Sequence, residues 1–484
     1  MKKLGILCHV TSLINRYGLG DFGVASYDFI NFLKDNNLNC WQILPLNNAN
    51  SYNCPYGTLS SETFDEMFVD LDDLISKGLL TEQEVKPLVK KVKTRKVDYN
   101  FIRPEKLRLF TLAFSRLNRL EMQKLDLYAQ KNPVVFNYAY YKTWFEVVRL
   151  HSWRDINKSY WNVNNNCSKK FIEQNKTVFL KYVFFQKTLF EQWAAVKKYA
   201  NSNCIKIIGD LPIYNDKDSV DVFLNHKNYL LTEKYLPVAT GGTPPDGFNK
   251  DGQDWGTCVW NWEYLEKTKY EYLINRIVNQ HKKYDCLRLD HFPGLIEYFA
   301  NSKVKGVKTG FYKGGGFKFF YELSKRVNTK CLVAEDLFAM TQDCLDIKKQ
   351  FGLRGMNVIQ FAFDTDNSNP HLPQNVLKNT IYYLGTHDNN TFMGFLNRLN
   401  YKQLKAIDEF LGTKSLTKQQ LQLNVINSMF ASKSDIIVLQ AQDFMFEGED
   451  FRMNIPGVAA NCWEYRLPNN YKFKIKQTLQ KIRR

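Results

Sequence analysis

CLRLDH, residues 286–291, is a short apolar run that ends abruptly in charged residues. This pattern is typical of a buried parallel strand, because such a strand is covered on both faces and meets solvent only at its end. The pattern recurs along the whole chain, at 5–9, 40–46, 205–210, 331–336, 358–363, 382–388 and 436–440. The sequence therefore predicts several buried parallel strands along the chain.

Segments with helical spacing of apolar residues lie between most of these runs, for example 270–282 and 316–327. Repeated alternation of strand and helix, with polar residues at the strand ends, predicts an α/β fold of the (β/α)8 or TIM barrel type. A barrel with insertions reaches 484 residues as one unit, so we expect a single catalytic domain over residues 1–484.

The stretch from about 67 to 200 has a different composition: it is rich in Lys, Leu, Glu and Phe and almost free of Gly. Its apolar residues follow helical spacing, as in 184–199. We interpret it as a mainly helical inserted subdomain that, with further loops, walls the mouth of the barrel. It contains no group of residues that suggests catalysis.

The composition is that of a soluble globular protein, with 44% hydrophobic, 15% aromatic and 24% charged residues. The net charge of +17 would suit nucleic acid or an anionic membrane surface, but it is spread along the chain. Only the tail 472–484 is locally basic, and its spacing fits an ordinary amphipathic helix. We therefore predict neither a nucleic-acid partner nor a membrane partner.

The ten cysteines are scattered without a CxxC pair, which favours reduced thiols in a cytoplasmic protein. The apolar start of the chain is too short for a signal peptide, and no apolar run approaches the length of a membrane span. No Cys/His spacing suits zinc, and Gly314-Gly315-Gly316 lacks the residues of a phosphate loop. We expect no metal and no cofactor.

Three strand ends carry carboxylates. In the first, the period of two places Arg288 and Asp290 on the same side, where the guanidinium can keep the carboxylate ionised, as a nucleophile requires. Glu335 follows an apolar run, so partial burial would raise its pKa and make it a general acid. Asp388 emerges after a Gly-containing turn beside the imidazole of His387. Two carboxylates on opposite faces of a glycosidic bond are what retaining glycoside chemistry requires.

In the order RLDH, AED and THDN, these motifs resemble those of the amylomaltases, the 4-alpha-glucanotransferases or disproportionating enzymes of the alpha-amylase clan. The resemblance runs from end to end. It covers 5–23, 41–46, 54–56 (CPY), 209–213 (GDLPI), 244–255 (PPDGFNKDGQDW), 288–294, 334–337, 351–363, 385–389 and 452–457 (RMNIPG).

The resemblance implies an enzyme that transfers a segment of an alpha-1,4-glucan to the 4-hydroxyl of glucose or another glucan, with maltodextrins among its substrates. It implies Asp290 as nucleophile, Glu335 as acid/base and Asp388 as transition-state stabiliser. The substrate-binding residues that it implies are Tyr56, Asp210, Asp246, Gln253, Trp255, Arg288, His291, Phe361, His387 and Asn461.

The sequence departs from the family pattern around the acceptor site. Gly247 stands where a Tyr is usual, Cys54 where a Ser is usual, and Phe338 where a Gly is usual. The usual Gly-Asn-Trp is Asn461-Cys462-Trp463, so Asn461 is the candidate to replace the missing Asn. These changes concern acceptor binding and leave the three carboxylates intact.

Three other functions remain open at this stage. The first is an alpha-glucan hydrolase on the same barrel, favoured if the altered acceptor site admits water. The second is a non-catalytic glucan-binding protein, which the intact Asp290, Glu335 and Asp388 disfavour. The third is nucleic-acid binding, for which the sequence offers charge but no recognisable module.

Overall fold

The central sheet has eight strands, and its neighbouring strands pair in parallel. The structure, a computed structural model, describes residues 2–50, 52–89, 95–245, 250–337, 340–363, 366–458 and 460–482. In chain order the strands are Lys3–Leu7 (β1), Cys40–Gln42 (β2), Lys206–Leu211 (β3), Cys286–Leu289 (β4), Leu332–Ala334 (β5), Gly355–Val358 (β6), Thr380–Tyr383 (β7) and Ile436–Gln440 (β8). Their order in the sheet is β5-β4-β3-β2-β1-β8-β7-β6.

The sheet closes on itself between β5 and β6. Val333 of β5 forms a parallel bridge with Arg354, the residue before β6. The N–H of Ala334 donates to the carbonyl of Arg354 at 2.7 Å, and the N–H of Arg354 donates to that of Leu332 at 3.1 Å. A closed ring of eight parallel strands confirms the predicted barrel.

The barrel strands are hydrophobic on both faces, as strands enclosed between a packed interior and outer helices must be. Ile6, Ile207, Leu287 and Val438, on four different strands, are fully buried. The ends of the strands, where the chain turns out of the sheet, are the places where polar residues can reach solvent.

Two strands begin earlier than their apolar runs indicated. β6 ends at Val358, where the predicted run begins, and Ile359–Phe361 forms a 3-10 helix. β7 begins at Thr380, before the run that starts at residue 382. β6 escaped the apolar pattern because it contains Asn357, whose side chain is satisfied by donating to the carbonyl of Pro370 at 2.9 Å.

Helices cover the outside of the barrel and follow most of its strands. Their bounds are Val24–Asp35, Leu71–Ser76, Glu82–Val89, Tyr99–Ser115, Arg119–Lys131, Pro133–Val148, Asn166–Gln174, Lys176–Ser202, Val220–Leu224, Trp262–Lys267, Glu271–Lys283, Gly316–Ser324, Gln342–Gln350, Phe392–Arg398, Tyr401–Leu411, Lys418–Ala431, Ala441–Phe444 and Tyr471–Leu479. In the part of the chain described between β6 and β7, the 3-10 helix takes the place of an α-helix.

Most of the chain described between β2 and β3 is helical. Local sequence defines these helices; Asn118, for example, forms a capping box with Glu121 at the start of Arg119–Lys131. The last and longest, Lys176–Ser202, also packs on the barrel, where the indole N–H of Trp193 donates to the carbonyl of Lys283 at 3.0 Å. It therefore joins the helical segment to the barrel wall.

A five-stranded sheet is built from the loops that follow β3 and β4. Its strands are Asn215–Asp216, Ala239–Thr243, Gln253–Cys258, Glu297–Ser302 and Gly310–Lys313. A two-stranded sheet, Asn48–Ala49 with Thr58–Ser60, follows β2. Because these loops leave the carboxyl ends of strands, both sheets stand at the face where a barrel carries its site.

The ten cysteines are free thiols. None of the helices in the described parts of the chain combines the length and apolar character that crossing a membrane requires.

Candidate active site

Arg288 of β4 is the centre of a cluster of carboxylates at the carboxyl ends of three adjacent strands. Its side chain is 1% exposed, and its Nη1 donates to both oxygens of Asp210, at the end of β3, at 2.7 Å. The same nitrogen contacts Asp290 Oδ1 at 3.1 Å, and Nη2 lies 2.6 Å from Glu335 Oε1. The predicted contact between Arg288 and Asp290 is present.

Asp290 and Glu335 are the parts of this cluster that reach the solvent-accessible side. Their side chains are 21% and 17% exposed, whereas Asp210 is fully buried. The backbone fixes both: the N–H of Ile213 approaches Asp290 Oδ2 at 3.5 Å, and the N–H of His291 donates to Glu335 Oε2 at 2.6 Å. His291 adopts a left-handed conformation, with φ of 45°, and so turns the chain at the end of β4.

The protonation of the two carboxyl groups differs from the sequence-based expectation. Burial raises the pKa of Asp290 well above its ordinary value, and Glu335 and Asp210 add to this effect while Arg288 opposes it. Burial acts on Glu335 too, but Arg288 and the N–H of His291 outweigh it and lower its pKa. The prediction that burial raises the pKa of Glu335 is wrong, because Arg288 lies closer to Glu335 than to Asp290. The prediction that Arg288 keeps Asp290 ionised is wrong as well, because burial outweighs Arg288 at Asp290.

Asp388 lies beyond the end of β7 and is held by three neighbours. His387 Nε2 lies 3.2 Å from its Oδ2, and the side chain of Asn454 donates to its Oδ1 at 2.6 Å. Arg452 Nη2 donates to its main-chain carbonyl at 2.9 Å. With its side chain 24% exposed, Asp388 presents a positioned carboxylate to the mouth of the barrel.

Tyr56 connects the Arg288 cluster with Asp388. Its hydroxyl donates to Asp210 Oδ2 at 2.7 Å, and its ring stacks on His387 with centroids 5.3 Å apart and planes 8° apart. Trp463 closes this group, with its ring centroid 5.8 Å from Tyr56 and 6.0 Å from His387. The predicted aromatic residue Tyr56 is thus built into the carboxylate site.

Trp255 and Gln253 reach the site from the five-stranded sheet. The half-buried Trp255 ring meets His291 edge to face at 5.0 Å, and its N–H donates to Gln253 Oε1 at 3.1 Å. Since His291 binds Glu335 through its main chain, Trp255 lies one residue away from the carboxylates.

For three predicted substrate-binding residues, the described part of the structure gives no contact with the carboxylate site. Phe361 is half-buried after β6, where its ring meets His371 and its carbonyl accepts from Asn369. Asn461 is exposed, with a left-handed φ of 59°. Asp246 lies outside the described residues, as do Gly247 and Phe338.

Sequence reasoning missed Asn454, Arg452 and Trp463 as parts of the site. A signal existed, because the resemblance included RMNIPG, which contains Arg452 and Asn454, and the NCW triplet, which contains Trp463. None of the three is a carboxylate or stands at the end of a strand, so their contacts with Asp388 and Tyr56 could be found only in the structure.

Positive charge within the cluster is supplied by Arg288. Across the described ranges, no group of three or more His, Cys, Asp or Glu side chains is placed to hold a metal ion. A cluster of carboxylates around a guanidinium, open on one side, can combine a nucleophile, a proton donor and a hydrogen-bonding carboxylate.

Residues 8–472 match the sequence profile of a family described as 4-alpha-glucanotransferase. The chain belongs to the 4-alpha-glucanotransferase family. A 4-alpha-glucanotransferase from Clostridium butyricum is 34% identical over 468 residues, which cover 96% of each chain. One from Aquifex aeolicus is 31% identical and covers 100% of this chain and 98% of its own.

A solved structure agrees with this 4-alpha-glucanotransferase assignment. The amylomaltase from Streptococcus agalactiae, in complex with acarbose, superposes with a TM-score of 0.91 at 26% identity and covers 99% of this chain and 98% of its own. The barrel, the family and the activity class expected from the sequence are confirmed, and the chain is an enzyme of the 4-alpha-glucanotransferase type.

Two departures from the 4-alpha-glucanotransferase pattern have a defined structural setting. The half-buried Cys54 keeps its thiol protonated, because burial raises its pKa to about 11. Cys462 is buried, and its Sγ contacts the carbonyl of Val458 at 3.4 Å within its own loop. Trp463, next in sequence, remains against Tyr56.

One cavity lies away from the 4-alpha-glucanotransferase site. It measures about 760 Å³ and lies among helices, with Phe190, Trp193 and Lys283 in its wall and no predicted site residue in its lining.

Proposed function

We propose that this enzyme transfers a segment of an alpha-1,4-glucan to the 4-hydroxyl of glucose or of another alpha-1,4-glucan, by a retaining double displacement. The observation that carries the proposal is the cluster in which Arg288 contacts Asp210, Asp290 and Glu335 at the ends of β3, β4 and β5. Two of its carboxyl groups are accessible, as a nucleophile and a proton donor must be.

In the first step Glu335 protonates the glycosidic oxygen while Asp290 attacks the anomeric carbon. The glycosidic bond breaks, the reducing-end part leaves as an alcohol, and a glycosyl ester forms on Asp290. In the second step Glu335 removes the proton of the acceptor 4-hydroxyl, and that oxygen displaces the ester. Asp388, held by His387 and Asn454, binds ring hydroxyls and favours a distorted sugar.

The resting site has to exchange a proton before it reacts. Burial raises the pKa of Asp290, whereas Arg288 and the N–H of His291 lower the pKa of Glu335, so a proton bound by the pair favours Asp290 in the resting site. Positive charge developing on the sugar favours an ionised Asp290, so the proton passes from Asp290 to Glu335, and Glu335 then gives it to the glycosidic oxygen. The opposite assignment, with Glu335 as nucleophile, follows if the resting distribution persists in the complex.

The substrate-binding residues are assigned from the resemblance to the family. Tyr56 and Trp255 offer ring faces to the apolar faces of glucose, Gln253 binds hydroxyls, and Asn461 serves the acceptor sugar. The buried Asp210 acts on the sugar through Arg288 and Tyr56, which it orients. Asp246 and Phe361 complete the group of substrate-binding residues, with Arg288, His291 and His387 as the partners of the carboxylates. Transfer exceeds hydrolysis where these residues hold an acceptor sugar and exclude water.

Azide rescue distinguishes the two carboxylate assignments. With alpha-maltosyl fluoride as donor, the leaving fluoride needs no proton, so variants can be followed through the first step. Asp290→Gly with azide should give the beta-glycosyl azide, because azide attacks in place of the nucleophile. Glu335→Ala with azide should give the alpha-glycosyl azide, because azide then attacks the covalent intermediate.

If Asp290→Gly gave the alpha-glycosyl azide and Glu335→Ala the beta-glycosyl azide, Glu335 would be the nucleophile and Asp290 the acid/base. Absence of any rescue in both, with folding intact, would contradict covalent catalysis by this pair. Glu409→Ala, at an exposed surface position, is the matched control and should transfer as the parent enzyme does.

We further propose one catalytic barrel domain over 1–484 in which 67–200 is an inserted helical subdomain. The helices between β2 and β3 support this division. We also propose a cytoplasmic location, which the free cysteines support. Alpha-1,4-glucans, maltodextrins and glucose are then the partners, and nucleic acid is not.

A further inference from the structure

A small cavity lies beside His387. Its volume is about 10 Å³, close to the lower limit for one water molecule. Its lining includes His9 and Ser12 after β1, Gln440 at the end of β8, and His387. These four polar side chains, from three parts of the chain, thus line a space that suits one water molecule.

Each of these side chains has a buried polar atom without a protein partner among the described residues. The atoms are His9 Nδ1, Ser12 Oγ, Gln440 Nε2 and His387 Nδ1. The four residues are at most 4% exposed. Leaving such an atom unsatisfied is costly, so four of them on residues that line one cavity point to a shared bound molecule.

The hydrogen-bonding roles of the four atoms are complementary. His387 Nε2 faces the Asp388 carboxylate at 3.2 Å, and an N–H is needed there because two lone pairs would repel. In the neutral ring Nδ1 is then an acceptor. Gln440 Nε2 is a donor, Ser12 Oγ can donate, and His9 Nδ1 can accept, so one water can donate twice and accept twice.

We propose that one water molecule bound by His9, Ser12 and Gln440 fixes His387 in the tautomer whose Nε2–H holds Asp388. His9 and Ser12 are positioning residues, since they touch neither the sugar nor the carboxylates. The inference rests on the proposed function only for the role of Asp388 in the reaction; the water and the tautomer stand independently of it.

His9 suits this role because its imidazole ring carries no charge. Burial lowers the pKa of His9 to about 3, so its ring is neutral at working pH. A neutral ring can present Nδ1 as an acceptor without placing a second positive charge beside the site. Its packing is apolar, edge to face against Phe68 at 5.8 Å.

The test combines kinetics with nitrogen-15 NMR of the histidine rings, whose shifts report tautomers directly. In the parent enzyme His387, assigned by loss of its signal in His387→Asn, should be the Nε2–H tautomer. His9→Phe should mix the tautomers of His387 and lower kcat about tenfold with little change in KM, because it removes a bond of about 1.4 kcal/mol. His9→Asn, which keeps a polar atom near Nδ1, should restore most of kcat.

Thr11→Val is the matched control, because Thr11 is buried and adjacent in sequence but does not line the cavity. It should leave kcat and the His387 signals unchanged. If His9→Phe fails to fold, Ser12→Ala should shift the same His387 signals.

An Nδ1–H tautomer in the parent enzyme, or unchanged tautomers and kcat in His9→Phe, would overturn the inference. Because the tautomer is read without substrate, it separates this inference from the proposed function. If the enzyme makes no transfer products but His387 is the Nε2–H tautomer, the proposed function is contradicted and the proposed water is supported.

Discussion

Charge balance around Arg288 decides what individual residues in the site can do. One guanidinium contacts Asp210, Asp290 and Glu335, so the three carboxyl groups cannot all be ionised without strong repulsion. Asp210 is fully buried and accepts two hydrogen bonds from Nη1, but burial raises its pKa as well, so Asp210, Asp290 and Glu335 titrate as one coupled group. A shared proton is what acid and nucleophile roles on neighbouring carboxyl groups require.

The shared proton predicts a bell-shaped dependence of kcat/KM on pH. As pH falls through the lowered pKa of Glu335, a second proton is added and activity is lost; as pH rises through the raised pKa of Asp290, the single proton is lost. Asp210→Asn removes a charge that raises the Asp290 pKa, so it should move the alkaline limb to lower pH. An unmoved limb would show that another group controls it.

Asn454 tests whether Asp388 must be held in place. Asn454→Ala removes a 2.6 Å hydrogen bond to the Asp388 carboxylate and should lower kcat/KM about 10-fold to 100-fold. Asn454→Asp should lose more, because it puts a like charge beside Asp388. Asn164→Ala, at an exposed position, should be neutral in the same assay of transfer from maltotriose. Equal activity of the two Asn454 variants and the control would show that Asp388 needs no support.

Single residues could be predicted where a short pattern fixes their direction. The period of two along β4 placed Arg288 and Asp290 on one side, and their contact at 3.1 Å follows from it. The balance of Arg288 between Asp290 and Glu335 could not be predicted, since it depends on distances across two strands. Asn454 and His9 likewise become visible only when distant parts of the chain meet.

At the scale of elements, β3 carries Asp210 into the cluster through a close approach that only glycine permits. A Cβ on Gly209 would lie 2.2 Å from the ring of Tyr284. The ring therefore packs directly on the β3 backbone, one residue before Asp210.

Gly209→Ala should lower the stability by about 1–3 kcal/mol and also lower activity, because Tyr284 or β3 has to move. The free energy of unfolding from denaturant titration measures the first effect, and maltotriose transfer the second. Gly448→Ala is the matched control, since nothing lies within 4 Å of its added Cβ, and should change stability by less than about 0.5 kcal/mol. Similar stability losses for both variants would contradict the packing argument.

Helix Tyr99–Ser115 is tied to the barrel by a buried ion pair. Lys106 is fully buried, and its Nζ binds Asp21 Oδ2 at 3.1 Å and the carbonyls of Met67 and Val69 at 2.8 and 2.9 Å. The contact joins the helical segment to the loop after β1.

Lys106→Met should destabilise the enzyme by about 3–5 kcal/mol, because it leaves the buried Asp21 without its cationic partner. Lys106→Met with Asp21→Leu should recover part of this loss, as measured by denaturant titration. Lys402→Met, at an exposed position, is the control and should be neutral. A double variant that is less stable than the single one would mean that the carbonyl contacts of Lys106 dominate.

The elements themselves were largely predictable. Buried strands such as β4 and β8 stand out because both of their faces are apolar. β6 was misplaced because Asn357 is polar within a strand and is satisfied by a loop carbonyl that is distant in sequence. The apolar sequence pattern therefore identified the strands that are apolar on both faces. It missed the position of β6, where a hydrogen bond to a residue distant in sequence allows a polar side chain within the strand.

On the scale of the whole molecule, the barrel explains why residues from five parts of the chain form one site. Residue 210 lies near the end of β3, residues 56, 290, 335 and 388 follow barrel strands, and a closed parallel barrel gathers these strand ends at one face. The net charge of +17 plays no part in this arrangement, since the accessible site residues are mainly carboxylates and aromatic rings.

Incubation with maltotriose, with the full ladder of products resolved, tests the central claim most directly. A glucanotransferase must form longer and shorter oligomers together, so glucose should appear with maltotetraose, maltopentaose and beyond. Asp290→Asn should be inactive in the same assay, because it cannot form the glycosyl ester. Glucose and maltose alone would contradict transfer and indicate hydrolysis, and a full ladder from Asp290→Asn would contradict the assigned nucleophile.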